Sequence, residues 1–281
     1  MRARGKNEII STMNEPKPDF SNKSYLLPHI NREGRKFGIP TLITALLLTA
    51  AAAACAVLVA VRGGDMPHHA FFTSLAAVLS FLAAPFLLLA YGVFLFFRDP
   101  ERYPPEDESA ILSPADGRIC MVKDCPLPAE LLDALPEGVS PQTLHTRVSV
   151  FMSVFNVHVN RMPTAAKILK MAHVPGKFLN ASLDKASTDN ERCCYLMQTP
   201  CGTLYGVVQI AGLVAKRIVP FVSDGAELAR AERFGLIRFG SRLDVYLPAG
   251  AKAEVREGQI MVAGETVLGH LPCRKQNEES K

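Results

Sequence analysis

The chain has 281 residues, of which 48% are hydrophobic and 21% charged, with a formal net charge of +4. That length holds one large or two ordinary domains, and the apolar content fills a core and leaves a surplus. The charge is small and is not gathered into one basic run, which argues against nucleic acid as a partner.

The surplus lies at the N-terminal end. Gly38 to Val61 contains no charged residue and as a helix would reach roughly 36 Å at about 1.5 Å per residue, enough for a bilayer core. Phe71 to Phe97 is also uncharged, and only the polar "RGGDMPHHA" separates the two runs. Two spans joined so closely predict a transmembrane helical hairpin. Arg2, Arg4, Lys6, Lys17, Lys23, Arg32, Arg35 and Lys36 precede the first span, whereas Arg62 alone follows it in the connection. The positive-inside bias therefore places both ends on the cytoplasmic side. A signal peptide is the poorer reading, because the first run begins late and a second span follows at once.

From "FFRDPERYPPEDE" onward the texture changes to short β-like runs divided by Gly, Pro and Asp. Strands are expected at Gly117 to Val122, Arg147 to Phe155, Thr203 to Ile210, Ile237 to Leu247 and Gln259 to Leu268. A short helix is expected over Pro128 to Leu135. The predicted fold is mainly β (α+β). Residues 1–37 form a cytoplasmic segment, 38–97 a two-helix membrane anchor and 98–281 the catalytic domain. "SPADGRICMV" and "VREGQIMVAGETVLG" share the glycine-turn phrasing of barrel-sandwich hairpins. "LDKAS" contains the D-K-A of a lipoyl attachment turn but lacks symmetric strands around it, and reads as a polar loop.

The seven cysteines, at positions 55, 120, 125, 193, 194, 201 and 273, form no C-x-x-C pair and no zinc spacing with histidine, so no metal site is expected. Their odd count and irregular spacing suit free thiols in a reducing compartment.

Three places carry candidate chemistry. Asp116 lies in "SPADGR", where Pro114 and Gly117 frame a turn able to fix a carboxylate. In "FMSVFNVHVNRMP", counting by twos puts Asn156, His158 and Asn160 on one strand face. In "LIRFGSRLDVYLP", Ser241 falls on the apolar face of an alternating run, directly after Gly240. Each has a structural explanation too: an Asx-turn, a hydrogen-bonded core histidine, a bulge. Together they admit a hydrolytic Ser-His-Asp triad, although no G-x-S-x-G elbow is present. They also admit self-cleavage, in which Ser241 attacks the Gly240 carbonyl. Glycine leaves that carbonyl unhindered, and the apolar face keeps water from the ester that forms.

"FFRDPER", "SPADG", "FMSVFNVHVNRMP", "FLNASLDKASTDNER" and "AERFGLIRFGSRLDVYLP" together resemble the phosphatidylserine decarboxylase family in its shorter bacterial form with a G-S processing site. The resemblance implies a membrane-associated carboxy-lyase that converts phosphatidylserine to phosphatidylethanolamine and CO2. It needs no external cofactor, because it uses a pyruvoyl group made from Ser241 by cleavage after Gly240. The implied partners are membrane lipid and the two cleaved chains, held as a heterodimer. By position, Asp116 supports self-cleavage and His158 serves decarboxylation. Relatives often carry a second histidine where this chain has Arg161, which leaves open whether His158 serves both steps. His145 and His173 are further histidines within reach in sequence, and Arg147, Arg161, Lys177 and Arg192 are the cations nearest the shared blocks. The readings from other classes are a membrane-anchored adaptor and a membrane serine esterase, both of which keep the chain intact.

Overall fold

A computed structural model describes residues 30–62, 68–176, 189–212, 217–238 and 241–272. The chain divides into two compact units, one spanning Tyr25–Pro100 and the other containing Glu101–Lys281.

The first unit is a helical hairpin of α1 (Arg32–Arg62) and α2 (His69–Phe96), both long and apolar enough to cross a membrane. Each begins a few residues before the apolar run that marks it in the sequence. The Asn31 side chain starts α1 by accepting a bond from the Glu33 amide at 3.0 Å, and the Asn31 amide donates to the Phe97 carbonyl at 2.9 Å. Small residues form the seam. Gly38, Ala45 and Ala52 recur every seven residues along α1, Ala83 and Ala90 do so along α2, and all are buried. Such residues let helix backbones approach closely. A side chain at Gly34 would collide with Phe97, and one at Gly38 with the Phe94 ring.

The second unit is sheet-rich. In chain order its strands are β1 (Ala110–Leu112), β2 (Gly117–Cys125), β3 (His145–Met152), β4 (Val159–Arg161), β5 (Ala166–Val174), β6 (Arg192–Gln198) and β7 (Leu204–Ala211). They continue with β8 (Ile218–Pro220), β9 (Glu227–Leu228), β10 (Arg233–Ile237), β11 (Ser241–Tyr246), β12 (Ile260–Met261) and β13 (Val267–His270). A short 3-10 helix, Ala129–Ala134, follows β2, with Pro128 as its cap. An eight-stranded sheet has the order β12-β2-β3-β11-β7-β6-β5-β9, a three-stranded sheet the order β4-β10-β8, and β1 pairs with β13. The fold is mainly β with α helices, as expected. Among the described residues no sheet closes into a barrel, because the edge strands β12 and β9 pair only with β2 and β5.

Two layers of core flank the large sheet. On one face Val148, Val150, Leu243 and Val245 pack with Phe234 and Met162 from the side of the small sheet. On the other, Leu131 of the 3-10 helix covers Leu196, Val208, Ile210 and Tyr246. β11 is buried along its whole length. The alternation seen in the sequence is kept there, so Arg242 and Asp244 point to the second face. Arg242 donates from Nε and Nη2 to the two Asp244 oxygens at 2.8 and 2.9 Å, and both residues are fully buried. Arg147 Nε stands 3.9 Å from the same carboxylate.

Several boundaries differ from expectation. The strand expected over Ile237 to Leu247 is two strands in different sheets, β10 ending at Ile237 and β11 beginning at Ser241. The strand expected to reach Phe155 ends at Met152, where a turn begins. Gln259 to Leu268 is two short strands around a turn containing Gly264. Strands β5 and β6 were not expected. Among the described residues Cys55, Cys120, Cys125, Cys193 and Cys194 are free, but Cys201 is disulfide-bonded, contrary to the expectation of free thiols. "LDKAS" also lies outside them.

Removing one partner of a buried ion pair strands the other charge, at a cost of about 3–5 kcal/mol. Urea unfolding of the detergent-solubilised chain should show that loss for D244A, and R242M/D244L should recover part of it, since Arg147 still loses the Asp244 carboxylate.

Candidate active site

Ser241 opens β11 at the point where the chain arrives from the small sheet. It is fully buried, with Met152 of β3 on one side and Ala211 of β7 on the other. The partner of its hydroxyl is a thioether: Ser241 Oγ donates to Met152 Sδ at 3.9 Å. That contact is a soft restraint, and it leaves the oxygen lone pairs uncommitted. Gly240, which precedes it, lies outside the described residues.

The Met152 sulfur is also the end of a chain of polar groups. Asn160 Nδ2 donates to it at 3.7 Å, Gln209 Nε2 donates to Asn160 Oδ1 at 2.8 Å, and the Tyr195 hydroxyl donates to Gln209 Oε1 at 2.7 Å. All four residues are fully buried. Burial pushes the Tyr195 phenol well above its ordinary pKa, so it remains a hydrogen-bond donor. Asn160 belongs to β4 of the small sheet and Gln209 to β7 of the large one, so this amide pair ties the two sheets together beside Ser241. Gly235 of β10 makes room for it, because a Cβ there would sit 2.7 Å from Gln209 Nε2. Tyr195 also meets Phe234 edge-on across the same gap, with ring centroids 5.4 Å apart.

His158 immediately precedes β4 and is fully buried. Its Nδ1 donates to the Asn156 carbonyl at 2.9 Å, which fixes the ring proton on Nδ1 and makes Nε2 the basic nitrogen of the neutral imidazole. Its own carbonyl accepts from the Ile237 amide at 3.3 Å. Ile237 ends β10, and four residues of chain reach at most about 14 Å, so His158 and Ser241 flank the same crossover. Asn156 itself is not on a strand face with His158. Its Oδ1 accepts from Ser153 N and Oγ at 2.9 and 2.8 Å, closing the turn after β3.

Asp116 lies just before β2. Gly117 must lack a side chain, since a Cβ would meet the Phe151 carbonyl oxygen at 2.1 Å. β2 and β11 flank β3, so Asp116 and Ser241 come at the same end of the large sheet, two strands apart. Its carboxylate is held by Arg102 Nη2, at 2.9 and 2.8 Å, and by the Ala263 amide at 2.8 Å. None of these bonds reaches His158 or Ser241, so among the described residues no hydrogen-bonded relay of serine, histidine and carboxylate joins the three. Arg161 is buried, and its Nη1 donates to the Ala231 carbonyl at 3.1 Å.

The remaining candidates lie elsewhere. His145 donates from Nδ1 to the Leu247 carbonyl at 2.8 Å, at the end of β3 opposite Met152 and beside a cavity of about 210 Å³. His173 pairs with Glu191 at 3.1 Å, Arg147 stands by Asp244 and Arg192 bonds Glu130. Lys177 lies outside the described residues. Sequence reasoning missed Met152, Tyr195, Gln209 and Arg102. Gln209 left a trace, as the one amide within the apolar "GVVQIAG". Among the described residues no group of three or more His, Cys, Asp or Glu could hold a metal ion.

A family model described as phosphatidylserine decarboxylase matches residues 91–269. Similar proteins include the phosphatidylserine decarboxylase proenzyme of Erythrobacter litoralis, 54% identical over 192 residues, covering 68% of this chain and 77% of that one. Those of Zymomonas mobilis and Novosphingobium aromaticivorans are 44% and 46% identical over 244 and 246 residues, each covering 87% of both chains.

Replacing Asn160 by Leu leaves the buried Gln209 amide without its acceptor, a loss of about 1–3 kcal/mol. In unfolding measurements N160L and Q209L should each destabilise the protein, and the double variant should lose clearly less than their sum.

Proposed function

Because the chain belongs to the phosphatidylserine decarboxylase family, we propose that it converts phosphatidylserine to phosphatidylethanolamine and CO2 after cutting itself between Gly240 and Ser241. The observation that carries the reading is the placement of Ser241. Among the described residues the Ser241 hydroxyl bonds only a thioether, and it is fully buried at the head of a strand, where water is excluded.

In self-cleavage Ser241 Oγ attacks the carbonyl carbon of residue 240. The peptide C–N bond breaks, the acyl group moves to oxygen, and the hydroxyl proton ends on the freed amine. Loss of the Ser241 Cα proton then expels the carboxylate of residue 240, and uptake of water with release of ammonia leaves a 2-oxo acyl group, pyruvoyl, at the new N-terminus. Its site suits it, because the group is built from Ser241 itself among Met152 and Ala211. Once formed, it supplies an electrophilic carbonyl that takes up the serine amine and accepts the electron pair released with CO2.

The chain's own residues do the rest. His158, with its Nδ1 proton committed to the Asn156 carbonyl, moves protons at Nε2 and protonates the carbon left by CO2. Asp116 acts at a distance, fixing Arg102 and the turn at Ala263 rather than touching Ser241. The two apolar helices make the protein membrane-associated. The excess of cations before the first span supports the inner membrane, with the catalytic unit on the cytoplasmic face. The two cleaved chains stay together, since β11 is paired on both sides by strands of the larger fragment.

S241A should remain one 30.6 kDa chain on a denaturing gel and release no phosphatidylethanolamine. H158A should still be cleaved yet turn over about 10²- to 10⁴-fold more slowly, the usual loss for one general acid or base. Wild-type turnover by either variant overturns the assignment.

A further inference from the structure

We propose that the turn Ser153–Asn156 is a membrane-docking tip that enters the lipid interface beside the active site. This rests on the reading that the substrate is a phospholipid, whose acyl chains stay in a bilayer while its head group reaches Ser241.

The turn presents two adjacent apolar side chains to solvent, Val154 at 43% and Phe155 at 72% exposure. Turns of this kind are ordinarily polar, and a large aromatic at the tip gains nothing from water. The backbone beneath is held firmly. Asn156 N donates to the Ser153 carbonyl at 3.0 Å, and Asn156 Oδ1 accepts from both Ser153 N and Oγ. The apolar pair is thus presented on a fixed support, which lowers the ordering cost of insertion.

Position ties the tip to the chemistry. The residue before the turn is Met152, which holds Ser241 Oγ, and the residue two past it is His158, whose Nδ1 is bonded to the turn's last carbonyl. Ile260, 70% exposed, lies at the same end of the large sheet, opposite Arg118, which in turn lies opposite Phe151.

Charge selects the occupant. Arg118 is exposed on the neighbouring strand β2. Arg217 is exposed at the start of β8, two strands from the His158 segment, where its carbonyl accepts from Arg238 N at 3.2 Å. An aromatic tip with an exposed arginine on the adjacent strand matches a bilayer interface, where rings settle at head-group depth and guanidinium groups meet phosphate. A purely apolar protein partner would leave those cations unmatched.

The chain contains no tryptophan, so F155W in the full-length protein is a single reporter, and L144W, at the opposite end of β3, is its control. Both are reconstituted into phosphatidylcholine vesicles, with and without phosphatidylglycerol. F155W should emit at shorter wavelength than L144W, be quenched by lipid brominated near the top of the acyl chain, and resist iodide. L144W should show the reverse. F155W quenched by iodide and untouched by brominated lipid overturns the proposal. So does shielding from iodide without brominated-lipid quenching, which would identify a protein contact or a second copy instead. The readout needs no turnover, so quenching in a protein that forms no phosphatidylethanolamine would discard the decarboxylase reading and leave the docking tip standing.

Discussion

The hydrogen bond from Gln209 to Asn160 is the contact on which the site depends. It spans the gap between the large and small sheets, and it is made by two amides that burial would otherwise leave costly. The chain must pass from β10 in one sheet to β11 in the other close to this bond. Ser241 is the first residue after the passage. Fixing the two sheets at this point therefore fixes where the crossover ends, and it holds Met152 against the Ser241 hydroxyl through Asn160. A polar chain in a low-dielectric core imposes one arrangement because each member has few alternatives.

The second face of the large sheet supplies rigidity of another kind. Arg242 follows Ser241 directly, and its guanidinium is locked to Asp244 on the same strand. Such a pair adds little net stability. Its effect is to resist a shift of β11 by one residue, because a slip would bring Arg242 and Asp244 into the main core and expel Leu243 and Val245. Registration of β11 and placement of Ser241 are the same constraint.

Much of this was readable from the residues. The two uncharged runs are long enough to state their own structure, and β11 shows its faces through strict alternation of Leu243 and Val245 with Arg242 and Asp244. The crossover was not readable, since Ile237 and Leu243 both point to the core between the sheets and a period of two continues across the break. β6 escaped notice because it is buried on both faces and "RCCYLMQ" does not alternate. At the site, Ser241 and His158 stood out as polar residues in apolar company. Their surroundings did not. Gln209 lies 49 residues from Asn160, and Arg102 grips Asp116 from a segment that composition marks only as a linker. Pairings of that separation are set by how the sheets stack, which no local pattern encodes.

The central claim is that Ser241 becomes the N-terminus of a second chain, and the intact mass of the purified wild-type protein tests it most directly. The claim requires two polypeptides, the smaller comprising residues 241–281 with an N-terminus closed to Edman degradation. A single species of all 281 residues, or a cut at any other peptide bond, contradicts it.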